Sequence, residues 1–122
     1  MNWTLDKSRP ICPQICELIC VAIANGEVSV GEKLLSVREI ALLAGVNPNT
    51  VQKSFEELER RGVIHSVRCS GWYVNENIDA AANEVDYLRI KKTEEYLDEM
   101  AQLGCGFDDI IKYLNEYKGG KQ

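Results

Sequence analysis

The stretch Ser36–Gly62, SVREIALLAGVNPNTVQKSFEELERRG, leaves this chain little conformational freedom. Ser36 followed three residues later by Glu39 is a capping-box pattern, in which hydroxyl and carboxylate each satisfy an amide that a helix start leaves without a partner. Ile40, Leu43 and Ala44 then predict an apolar face on a helix of about three turns, and Gly45 ends it. The chain restarts at once. Asn47 is a favourable N-cap, Pro48 suits the first helical position, and Val51, Phe55 and Leu58 form a core stripe at i, i+4 and i+7. That spacing turns Asn49, Thr50, Gln52 and Lys53 outward. Two helices joined by a tight Gly-containing turn, the second showing hydrogen-bonding side chains from its first turns, make a helix-turn-helix.

The flanking segments extend the pattern. Ile11, Ile15, Leu18, Ile19, Ala22 and Ile23 repeat at helical spacing between Pro10 and Asn25, with Gly26 as the stop. Beyond Gly62 the period drops to two, and VIHSVRCSGWYVN reads as a β-hairpin with Cys69-Ser70-Gly71 at its tip. A hairpin directly after the second helix is a wing, and Arg68, Ser70 and Gly71 stand at the end that would reach DNA. The polar start of the preceding helix suits a major groove. Asn and Gln pair bidentately with adenine, Thr meets a thymine methyl or a phosphate, and Lys neutralises backbone charge.

The remainder is helical and acidic. Val85, Leu88, Tyr96, Leu97, Met100 and Leu103 share a stripe over Asp79 to Leu103; Gly104-Cys105-Gly106 breaks it; Phe107, Ile110, Ile111 and Leu114 mark a second, shorter helix. Two such helices cannot enclose a core alone, so the surface of Val85, Leu88, Tyr96, Met100, Leu103, Phe107, Ile111 and Leu114 is expected to be covered by a second copy of the chain. The fold class is therefore mainly α with a small β-hairpin. Residues 1–75 form a winged helix-turn-helix, and 76–122 a two-helix dimerisation tail. A net charge of -5 opposes nucleic-acid binding on average, but Lys+Arg and Asp+Glu balance at 8 each through Val74, and 6 against 11 from Asn75 onward carry the whole excess. The acidity belongs to the tail.

The N-terminus MNWTLDKSRP lacks the basic start and apolar run of a signal peptide, and no segment approaches the roughly 20 apolar residues of a membrane span, so a cytoplasmic protein without membrane contact is expected. The 5 cysteines, without a CxxC pair, read as reduced thiols. Cys12, Cys16 and Cys20 share a helical face, but a row about 12 Å long is too extended for one ion, so no metal or other cofactor is expected and the thiols read as small hydrophobes. Cys69 at the wing tip reads as exposed. No P-loop, GxGxxG, GxSxG or HExxH is present, so no enzyme is expected.

GEKLLSVREIALLAGVNPNTVQKSFEELERRGVI resembles the DNA-binding domain of the GntR family of bacterial transcription regulators, over about Pro10 to Val74. The family pattern runs G-x-x-L-P-S-x-R-x-L-A-x-x-L-G-V-x-x-x-T-V-x-x-A-x-x-x-L-x-x-x-G-L-I. The short two-helix tail is similar to the YtrA-type subfamily, in which it serves dimerisation. The resemblance implies a homodimer on palindromic operator DNA, usually a repressor of its own operon, often one encoding an ABC transporter. It places Ser36 and Arg38 at the start of the first helix of the motif, Asn47, Pro48, Asn49, Thr50 and Gln52 at recognition positions, and Arg68 on the wing. Leu35 stands where the family has proline, and V-R-C-S-G-W-Y-V replaces R-R-G-x-G-T-F-V, which removes one arginine and one glycine from the wing. Two alternatives stay open at this point: a protein-binding winged helix, and a thiol- or metal-responsive DNA-binding sensor. The effector, if the protein takes one, is left unassigned.

Overall fold

A computed structural model describes residues 1–121, with side chains through Lys118. The helices are α1 (Ile11–Ala24), α2 (Val37–Ala44) and α3 (Pro48–Arg60), followed by strands β1 (Ile64–Val67) and β2 (Gly71–Val74) and then α4 (Asp79–Gln102) and α5 (Phe107–Lys121). The chain divides into two compact units, Met1–Asp86 and the part from Tyr87 onward, with α4 running through the division.

In the first unit, α1 packs chiefly on α3, and α3 also contacts α2 and β1. Small side chains permit the α1–α3 approach: the Cys16 thiol lies 3.6 Å from the Ser54 carbonyl oxygen, and the buried Ser54 hydroxyl donates to the Thr50 carbonyl at 2.9 Å. Val51, Phe55 and Leu58 are wholly buried, as the sequence pattern requires. Each such side chain contributes roughly 1.5–3 kcal/mol by leaving water. Phe55 meets Trp72 edge to face, with centroids 5.4 Å apart.

α2 departs from expectation in two respects. It has 8 residues, just over two turns, and its buried face is Ile40, Ala41 and Ala44, while Leu43 is 61% exposed. The reason is angular: Ile40 and Ala44 set the inward direction, and position 43 falls beside it, where Leu43 lines a shallow surface groove with Leu35 and the Met1–Thr4 segment. Trp3 of that segment is buried in the core.

The hairpin pairs antiparallel with Ile64 opposite Val74 and Val67 opposite Gly71. Glu59 ties it to α3, its carboxylate accepting from the Ser66 amide at 3.0 Å and the Ser66 hydroxyl at 3.1 Å. The first turns of α4 belong to this unit too. Ala81 and Val85 are buried in its core, and Arg61 at the end of α3 lies 3.8 Å from Glu84. Val85, expected on an association face, therefore has its apolar surface covered within the single chain.

The second unit is the rest of α4, a turn at Leu103–Gly106, and α5. Of its described side chains only Ile110 is buried. Tyr96, Met100, Leu103, Cys105, Tyr113, Leu114 and Tyr117 line a concavity of about 990 Å³.

Candidate nucleic-acid interface

Ser36 and Glu39 close both halves of the capping box, at 3.1 Å from the Glu39 amide to the Ser36 hydroxyl and 2.9 Å from the Ser36 amide to the Glu39 carboxylate. The Ser36 bonds hold the Glu39 carboxyl below the usual carboxylate range, and Lys33 adds to the effect. Gly45 then turns the chain in the left-handed region, at φ 67°. There the Lys7 ammonium donates to the Gly45 carbonyl at 2.8 Å, so the N-terminal segment braces the turn of the motif.

Asn47 caps α3, its side-chain oxygen accepting from the Asn49 amide at 2.8 Å, and Pro48 takes the first helical position. Asn49 and Lys53 are exposed, and Thr50 and Gln52 are half-buried. These side chains are not equally available. The Asn47 oxygen is occupied by its capping bond, and the Gln52 amide donates to Glu56 at 3.1 Å. The Asn49 carboxamide is engaged by no other described residue, so both its donor and its acceptor stay open for a base edge. Arg38 joins α3 across the turn, lining a hollow of about 300 Å³ with Ala41, Leu42, Val46 and Pro48. Leu42 within it is 84% exposed.

Arg68, Cys69 and Ser70 form the turn of the wing, closed by the Ser70 amide donating to the Val67 carbonyl at 3.0 Å. The Ser70 hydroxyl also hydrogen-bonds the Tyr73 phenol, so it is committed to the hairpin. Cys69 is exposed and lies at φ 63°, the one non-glycine residue with positive φ among those described. It occupies the left-handed position that a glycine adopts without steric cost. On α1, burial pushes the Cys16 thiol up to about 12 and the Cys20 thiol up to about 11. Among the described residues no group of three His, Cys, Asp or Glu side chains is placed to hold a metal ion.

Sequence reading missed three participants: Lys7 at the turn, Glu56 against Gln52, and Lys33, whose stem crosses Gly71 with Cε 2.9 Å from where a Cβ would stand. Only Glu56 carried a local signal, its i, i+4 spacing from Gln52. In the tail, Leu88, Tyr96 and Met100 are half-buried and Leu103, Phe107, Ile111 and Leu114 exposed. Tyr113 and Tyr117 belong to the same apolar surface but escaped the sequence pattern.

With this geometry in view, comparisons with known proteins agree on one family. The model described as bacterial regulatory proteins, gntR family, matches residues 13–74. The HTH-type transcriptional repressor YtrA of Bacillus subtilis (strain 168) is 33% identical over 121 residues, covering 95% of this chain and 93% of that protein. A GntR family transcriptional regulator from Listeria monocytogenes superposes with a TM-score of 0.80 at 36% identity, over 92% of this chain and 98% of that one. The AraR DNA-binding domain, solved in complex with operator ORX1, matches with a TM-score of 0.52 at 27% identity, over 57% of this chain and 86% of that one.

Proposed function

This chain belongs to the GntR family of bacterial regulatory proteins, a DNA-binding transcription regulator with a winged helix-turn-helix, and from that premise we propose that it acts as a homodimeric repressor on a palindromic operator. Its own operon is the proposed target, one that encodes an ABC transporter. Residues 1–75 engage DNA, and within 76–122 the part beyond the core-packed first turns of α4 holds two copies together. The observation that carries the base-reading half of this proposal is the uncommitted Asn49 carboxamide on the exposed first turn of a rigidly capped helix. A bidentate pair with adenine suits it, while Arg38, Lys53 and Arg68 meet phosphates and Gln52 reads a second base once Glu56 releases it.

The dimer half rests on the tail. Leu103, Phe107 and Leu114 are 80%, 65% and 51% exposed. An apolar surface of that extent marks an association site. A two-fold pair of recognition helices about 34 Å apart would then meet successive major grooves.

The test is a gel-shift titration of the region upstream of the chain's own gene. Wild type should retard it as a dimer, and Asn49→Ala should lose about 1–3 kcal/mol of discrimination between the operator and a scrambled duplex. Equal discrimination by Asn49→Ala would refute the base-reading role, and no retardation by wild type at micromolar dimer would refute autoregulation.

A further inference from the structure

The segment before α2 lies along the edge of the wing. The Gly31 amide donates to the Val74 carbonyl, the Val74 amide to the Glu32 carbonyl, and the Leu34 amide to the Trp72 carbonyl, at 2.9, 2.9 and 2.8 Å. Lys33 is thereby paired antiparallel with Tyr73. Residues opposite one another in such a pairing project to the same face, and successive residues to opposite faces. Trp72 turns to the core, where it meets Phe55, so Lys33, Tyr73 and Gly71 share the outer face.

On that face the Lys33 stem runs over Gly71. Its Cε is 2.9 Å and its Nζ 3.8 Å from the place a Gly71 Cβ would occupy. The ammonium thus lies over Gly71, next in the chain to the tip Arg68–Ser70, and its field reaches Glu39 in the first turn of α2. Lys33 forms no close salt bridge among the described residues; Glu39 feels its charge without a direct contact. A lysine whose alkyl stem is laid on a surface while its charge forms no close ion pair has less entropy to lose on binding an anion than a free one.

We propose that Lys33 contacts one phosphodiester of the bound duplex, between the stretch met by α3 and the stretch met by the wing, and that Gly71 serves DNA binding by leaving room for the Lys33 stem. The inference rests on the DNA-binding activity of the family. On this reading Gly71, expected at the DNA-facing end of the wing, acts through Lys33. A methyl group at position 71 would meet Cε inside van der Waals contact and shift the end of the Lys33 side chain, and at φ 149° it would also strain the start of β2.

Anisotropy titrations of a mixed-sequence duplex in rising KCl test this on the full chain. Wild type gives the reference slope of log K against log salt. K33Q should lower that slope by about 0.9, the value of one phosphate contact, and weaken mixed-sequence and operator DNA alike. K33R should restore it. G71A should lower the slope as K33Q does, and K33Q/G71A no further, because both changes remove one contact. Lys33 is exposed, so K33Q should melt with wild type. A K33Q slope equal to wild type overturns the phosphate contact, and a wild-type slope in G71A overturns the passage role. Failure of wild type to bind any duplex at low salt would instead strike the DNA-binding reading itself.

Discussion

Helices α3 and α5 have similar lengths, 13 and 15 residues, and each carries aromatic and branched residues at helical spacing. Their fates differ. The α3 stripe Val51, Phe55 and Leu58 has no exposed surface, whereas Phe107 and Tyr117 on α5 are 65% and 64% exposed. α3 is surrounded by α1, α2 and β1, while α5 borders an open concavity with the distal part of α4. An amphipathic pattern states that a face must be covered; it does not state by what.

The sharpest way to break this contrast is to truncate one aromatic from each helix. Phe55→Ala should cost about 3–5 kcal/mol of unfolding free energy, read by urea denaturation followed at the tryptophans. Phe107→Ala should leave the unfolding of the first unit almost unchanged. Equal losses would mean that both helices are buried alike. Next in size is the tail itself. Leu114→Glu places a charge on the proposed association surface and should convert the proposed dimer to monomer in analytical ultracentrifugation, with the far-ultraviolet circular dichroism of the winged helix retained. A dimer that survives this change removes the tail as the interface.

A smaller effect sharpens the comparison within the first unit, whose wing holds a strained residue although its core is saturated. Cys69→Gly relieves the left-handed conformation at φ 63° and should stabilise that unit by about 1 kcal/mol. Loss of stability would show that the thiol makes a contact worth more than the strain. The smallest effect is alkaline. Burial raises Cys16 to about 12 and Cys20 to about 11 from an ordinary 9.0, so the native state keeps protons that the unfolded chain releases. The contribution of these thiols is fully present below pH 9 and is lost as pH rises through the folded values. Cys20→Ala should flatten the decline in thermal midpoint over that window, and an unaltered slope would assign the decline to other groups.

Much of the DNA-binding unit was legible because its signals are local. The capping box, the Asn47-Pro48 start, the inward stripe of α3 and the change of period after Gly62 each depend on residues a few positions apart, and each appears where the pattern puts it. Leu43 was misjudged because a helix of 8 residues buries whichever narrow face its neighbours reach. Val85 fits the tail stripe equally well by spacing, yet the first turns of α4 lie in the core of the first unit. Lys33 had no signal at all. Its partner Gly71 is far along the chain, and the strand-like segment that carries it forms a single bridge.

The amino-acid sequence alone determined where helices start and stop, which faces are apolar and which polar groups stand on the first turns of α3, since these follow from bonds and periods within one or two turns. Tertiary structure decided which of those groups remain open. Asn49 is free while Asn47 caps and Gln52 is held by Glu56. It also laid Lys33 across Gly71 and enclosed Val85. The physical reason is distance: these outcomes depend on how separate elements dock, and docking energy is summed over surfaces that no short window of sequence contains.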